Sequence, residues 1–105
     1  MQAALIQFLV PVFHQDGTRI EPSEFESMRS ELTQRFGGVT AFIQSPALGT
    51  WARQSDAKVE QDQMILVEVV VDNPDRSWWS NYRARLEKAF RQDEIMMRML
   101  EIERL

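Results

Sequence analysis

The order of elements along the chain predicts an α+β fold: strand–helix–strand written twice, the ferredoxin-like βαββαβ arrangement. In it an antiparallel four-stranded sheet carries two helices on one face. Three observations predict it. Segments 3–13 and 64–72 are apolar on both faces with one polar interruption each, Gln7 and Glu68, the pattern of strands inside a sheet. Two other segments carry apolar residues at three- and four-residue steps, the pattern of helices with one buried stripe. The two doubly apolar strands are the first and third of the order, which are the inner pair in this topology.

Taken in order, the first strand runs from Ala3 to Phe13 and is ended by the turn residues His14-Gln15-Asp16-Gly17-Thr18. A helix follows. Pro22-Ser23-x-x-Glu26 reads as a capping box with Ser23 as N-cap, Gly37-Gly38 marks the other end, and Phe25, Met28, Leu32 and Phe36 share one face. Val39 to Ser45 is rich in β formers and stops at Pro46, so it reads as the second strand. Within Gly49 to Asp62, Thr50–Arg53 and Lys58–Glu60 flank Gln54-Ser55-Asp56-Ala57, which suggests a hairpin arm. Met64 to Asp72 is the third strand. Asn73-Pro74-Asp75 opens a second helix with Trp79, Tyr82, Leu86, Ala89 and Phe90 on its apolar stripe, and Arg76, Arg83, Arg85, Glu87, Lys88 and Arg91 mostly elsewhere. Gln92-Asp93 ends it, and Ile95 to Ile102 is the last strand.

Composition bounds the function. A chain of 105 residues is the size of one domain, residues 1–105, with one core. It has no cysteine, which excludes disulfides, thiolate nucleophiles and cysteine-based metal or cluster sites. Sixteen acids against twelve Lys+Arg give a net charge of −4, so the field that gathers phosphates is missing, although a local basic patch is compatible with that total. Neither nucleic acid nor a membrane surface is an expected partner. The early run Ala3 to Val10 is broken by Gln7 and Pro11 and has no basic residue before it, so no signal peptide or membrane span is expected, and the cytoplasm is the expected location.

What covers the sheet face that the helices leave open is the informative question. If Ile6, Phe8, Val10 and Val12 face the helices, then Leu5, Gln7, Leu9 and Pro11 face away, joined by Met64, Leu66, Glu68 and Val70. A shift by one residue would instead turn Ile65, Val67, Val69 and Val71 outward. Either face is too apolar for bulk water, and patches of that kind mark a partner or ligand. The expected partner is a second copy of the chain, sheet against sheet in the manner of dimeric α/β barrels, with a small apolar ligand held at the face or in the dimer cavity. Gln7 and Glu68 are the polar exceptions. They are candidates to anchor a polar ligand group, and Glu68 to act as an acid or base; the structural alternative pairs Glu68 with an arginine such as Arg98.

His14 is the single histidine, a weak catalytic candidate set against a simpler role in the turn; with no companion ligands it predicts no metal site. No nucleophile elbow, phosphate loop or dinucleotide fingerprint is present, and no cofactor is expected. Trp51, on the arm, and Trp78, off the apolar stripe of its helix, are candidates to line a ligand cavity or contact a second subunit. The alternative is that they cover the edge between helix and sheet within one chain.

The segments Arg35-Phe36-Gly37-Gly38-Val39-Thr40-Ala41, Gly49-x-Trp51, Trp78-Trp79-x-x-Tyr82-Arg83 and Phe90-Arg91-Gln92-Asp93-x-Ile95 resemble a family of small, uncharacterised bacterial proteins. That family has a ferredoxin-like fold of the dimeric α/β-barrel type. The resemblance spans nearly the whole chain, implies the fold and a homodimer, and carries over no catalytic residue. The wider barrel superfamily contains cofactor-free monooxygenases, haem-degrading enzymes, isomerases and stress-responsive proteins, so fold alone does not select a chemistry. Two functional readings follow: a noncatalytic homodimeric domain, or a small cofactor-free enzyme of the monooxygenase or isomerase kind with Glu68 or His14 as base.

Overall fold

The computed structural model describes residues 2–37, 40–44 and 63–105, with backbone only for 40–44. Along the chain these form β1 (Ala3–Pro11), α1 (Pro22–Phe36), β2 (Thr40–Gln44), β3 (Met64–Asp72), α2 (Arg76–Ala89) and β4 (Met97–Ile102). The fold is α+β. The proposed hairpin arm, Trp51 included, lies outside the described residues.

All strands pair antiparallel in the order β2-β3-β1-β4. The expected four-stranded ferredoxin-like sheet is nevertheless corrected by the register. β2 meets only Met64–Glu68 of β3, and β4 meets only Ala3–Phe8 of β1. Four strands therefore stand abreast in two rows alone, Thr40·Glu68·Gln7·Arg98 and Ala41·Val67·Phe8·Met97. Everywhere else the sheet is three strands wide, β3-β1-β4 at one end and β2-β3-β1 at the other. The physical reason is length: β2 has five residues and β4 six, against nine each for β1 and β3, so the outer strands cover opposite halves of the inner pair.

One face of this sheet meets both helices. Ala4, Ile6, Phe8 and Val10 of β1 and Val67, Val69 and Val71 of β3 form a single buried cluster with Met28 and Leu32 of α1 and Trp79, Tyr82 and Leu86 of α2. Val67, Val69 and Val71 thus point inward, and the shift by one residue does not occur. Phe8 meets Tyr82 edge to face with centroids 6.2 Å apart, and Phe25 meets Phe90 in the same way at 5.3 Å.

The ends of the helices show what local chemistry achieves. α1 begins two residues earlier than the capping box requires: Glu21 is the N-cap, Pro22 opens the helix, and no side chain caps it. Ser23 as N-cap is therefore corrected. Proline suits the first helical position because its fixed φ is helical and its missing N–H would have had no partner there. Gly37 closes α1 at φ 85°, its N–H donating to the Thr33 carbonyl; that left-handed geometry favours glycine. Asp75 caps α2, its carboxylate accepting from the Trp78 N–H at 3.1 Å. β4 begins at Met97 and β1 ends at Pro11, each shorter than expected. Ile95 is buried without being in the strand, tied by its N–H to the Glu87 carboxylate at 2.9 Å.

Candidate functional site

Along β1 the pleat that sends Ile6, Phe8 and Val10 into the core sends Leu5, Gln7 and Leu9 to the other side. Strand pairing then assembles that side row by row. Leu5 lies between Val70 and Leu100, Gln7 between Glu68 and Arg98, and Leu9 beside Leu66. A single polar row is thus set between aliphatic rows. Val70 is 41% and Leu100 40% exposed, although both belong to residue types that fill interiors. At the end of the face, Arg104 pairs with Asp72.

The polar row is a connected chain. The Gln7 amide nitrogen donates to a Glu68 carboxylate oxygen at 2.6 Å, and the Arg98 Nε donates to the Gln7 amide oxygen at 2.8 Å. The amide therefore stands between the two charges with its donor toward the carboxylate and its acceptor toward the guanidinium. The simple Glu68–Arg98 pair anticipated from sequence is replaced by this relay, because β1 lies between β3 and β4 and two strand spacings put the charges roughly 10 Å apart at the backbone. Each charge keeps unused hydrogen-bonding capacity toward the outside.

The other candidates are placed elsewhere. His14 follows the end of β1 in a turn, its N–H donating to the Thr18 carbonyl at 2.7 Å and its carbonyl accepting from Gly17 at 3.0 Å. Its Nδ1 is buried with no hydrogen-bond partner among the described residues. Seven residues of extended chain separate it from Gln7, about 20 Å, so Glu68 and His14 do not face one another. Trp78 is in the helix layer, across the sheet from Gln7 and Glu68. It stacks on Tyr82 with centroids 5.0 Å apart, meets Phe36 edge-on at 5.2 Å, and lies under the Arg35 guanidinium at 4.4 Å. Of the four ligand-binding candidates, Gln7 and Glu68 are brought together, Trp78 is not, and Trp51 is outside the described residues. Among the described residues no cluster of His, Asp and Glu is arranged to hold a metal, and no helix is long and apolar enough to cross a membrane.

A second feature escaped the sequence reading. Between α2 and the edge strand β4 lies a cavity of about 200 Å³ lined by Arg76, Ser80 and Arg83 from the helix and by Met97, Arg98 and Met99 from the strand. Its signal was present as Arg76, Ser80 and Arg83 at steps of four and three, one face of α2. The arginines had been grouped with the solvated residues of that helix.

Compared with protein-family models and with curated protein sequences, the chain matches none. The roles of these residues therefore rest on geometry.

Proposed function

We propose that the chain is a self-associating domain in which two copies pack through the open faces of their sheets. The observation that carries this reading is the charge order of the central row, Glu68·Gln7·Arg98, between rows of half-covered aliphatics. A twofold axis lying along β1 and passing above Gln7 exchanges the two ends of that row. Glu68 of each copy then faces the partner's Arg98, and two ion pairs form across one interface. An axis lying across the strands would instead oppose Glu68 to the partner's Glu68 and Arg98 to the partner's Arg98, which like-charge repulsion disfavours. The face is self-complementary in the first arrangement only, as an isologous contact requires.

The energetic logic is consistent. Val70, Leu100, Leu5, Leu9 and Leu66 supply apolar area, at about 25 cal/mol per Å² removed from water. Covering the central row alone would strand a carboxylate and a guanidinium that lack a direct partner within the chain, a cost that cross-pairing offsets. Any ligand held at this face would be small and apolar with one polar group, met by the Gln7 amide.

Sedimentation velocity on the purified chain and on Glu68→Arg, Arg98→Glu and the double exchange tests the reading. A dimer is expected for the parent at about 10 µM, a tenfold or greater weakening for each single reversal, about 1.4 kcal/mol, and recovery in the double exchange. A parent chain monomeric at that concentration overturns self-association. A dimer indifferent to both reversals overturns the face.

A further inference from the structure

We infer that the cavity between α2 and β4 is a binding site for a small organic anion, a carboxylate or phosphate monoester with a short apolar tail. The site is separate from the open face, and its case does not depend on self-association.

The first argument is charge. In a chain of net charge −4, Arg76 and Arg83 line one cavity of about 200 Å³ from the helix side, Arg98 meets it from the β4 edge while its guanidinium is turned to Gln7 on the open face, and none of the residues lining it is acidic. Of the arginines elsewhere, Arg85 bonds Glu31 at 2.7 Å and Arg29 bonds Glu26 at 2.5 Å, while Arg19 and Arg35 lie over the rings of Phe13 and Trp78. Around the cavity Arg83 is only 3.7 Å from Glu87, whose same oxygen already accepts the Ile95 N–H. Arg76 has no carboxylate partner among the described residues. Guanidinium groups gathered in this way favour an anion, which they bind through paired N–H donors.

The backbone supplies a second set of donors. The Leu9 N–H donates to the Met96 carbonyl. By the alternation of an antiparallel ladder, Gln7 and Arg98 then form the next hydrogen-bonded pair, and the N–H groups of Met97 and Met99 turn outward from the free edge of β4. The side chains of the same two residues join Trp79 and Ile6 as the apolar part of the lining. Charged donors, free edge N–H groups and an apolar floor are thus combined in a space that holds a head group and a few carbons. The adjoining cavity of about 460 Å³ shares Arg76 and Met99 but includes Glu101, so the head group is assigned to the smaller one.

The test is a titration of the isotopically labelled chain followed by NMR, with butyl phosphate, butyrate, inorganic phosphate and butylammonium as probes. Saturable shifts of the Met97 and Met99 amides are expected with the first two. Inorganic phosphate is expected to bind more weakly, and butylammonium to produce no such shifts. The Arg76→Gln/Arg83→Gln double variant, altered only at exposed side chains, is expected to keep its folded spectrum and to lose at least tenfold in affinity. Absence of saturable shifts with both organic anions overturns the site, as does undiminished binding by the folded double variant. Equal binding of inorganic and butyl phosphate overturns the apolar floor. Loss of the dimer with these shifts intact leaves the site standing.

Discussion

The two faces of the sheet are written by alternate residues of the same strands and end in different physical states. On the helix side Ile6, Phe8 and Val10 are 1% exposed or less, packed under α1 and α2. On the other side their neighbours Leu5, Gln7 and Leu9 remain partly accessible, and Val70 and Leu100 are openly so. Hydrophobicity alone does not separate the faces. What separates them is the single row of Glu68, Gln7 and Arg98 that crosses the open one, a hydrogen-bonded chain whose ends carry opposite charge. A face intended for this chain's own helices has no use for such a row. A face that must recognise something outside the chain gains register and orientation from it.

The largest effect that would sharpen this contrast comes from truncating adjacent residues. Phe8→Ala opens a cavity in the closed layer against Tyr82 and should cost about 3–5 kcal/mol. Leu9→Ala, one residue along and on the opposite face, should cost the isolated chain less than about 1 kcal/mol. Urea unfolding at concentrations low enough to separate the proposed dimer measures both. Similar losses at the two positions would show that the open face is already covered within one chain, and the distinction between the faces would fail.

A smaller effect, of opposite sign, concerns a polar atom that the closed layer hides. The Tyr82 hydroxyl is buried with no hydrogen-bond partner among the described residues. Burial holds its pKa well above the usual tyrosine range, and the charge of Glu31 pushes in the same direction while Arg85 opposes them. The phenol therefore stays neutral throughout the physiological range and contributes packing, stacked on Trp78 and edge-on to Phe8. Tyr82→Phe removes an unsatisfied group and keeps both ring contacts. The expected outcome in the same unfolding assay is no loss, or a gain of up to about 1 kcal/mol. A loss above 1 kcal/mol would mean that the hydroxyl has a partner and that the layer is not closed around it.

Much of the closed face was legible in the sequence because period-2 and period-3.6 patterns report which side of an element is dry. They placed Ile6, Phe8 and Val10 opposite Leu5, Gln7 and Leu9, and Trp79, Tyr82 and Leu86 on one stripe of α2. Sheet width was not legible, since residue pattern carries no information on how far a five-residue strand extends along a nine-residue neighbour. Only pairing reveals that β2 and β4 flank opposite halves. The start of α1 was misjudged because Ser23 and Glu26 satisfy a capping spacing that Pro22 overrides by being a good first helical residue. Trp78, for which the sequence left open a within-chain role, packs within the chain: it is off the apolar stripe, yet a residue four positions from Tyr82 on a helix is its neighbour, and flat rings at that spacing stack. In the site, Gln7 and Glu68 stood out as polar interruptions of apolar strands. Arg76 and Arg83 did not, because exposed arginines on a helix are ordinary, and what distinguishes these two is the edge strand alongside them.

The smallest expected effect lies in the turn between β1 and α1, outside both faces, and serves as their control. Asp16 accepts from the Thr18 hydroxyl at 2.6 Å and the Thr18 N–H at 2.9 Å. These bonds, the hydroxyl first, hold its carboxyl below the ordinary carboxylate range, with the charges of Arg91 and His14 contributing in the same sense. A carboxylate whose pKa is lower folded than unfolded contributes stability that is fully present above the unfolded value, about 3.9, and is lost as the pH falls through the folded value. Thr18→Val removes the hydroxyl donor and keeps the backbone one. NMR titration of the variant should show the Asp16 pKa moving up toward the ordinary value, and the small stability difference from the parent near neutral pH should narrow as the solution is acidified below pH 4. Self-association should not change. An Asp16 pKa unmoved by Thr18→Val would refute the hydroxyl as the main cause. A change in dimerisation would place this turn at the interface and extend the partner surface beyond the open face, where the charge row alone does not predict it.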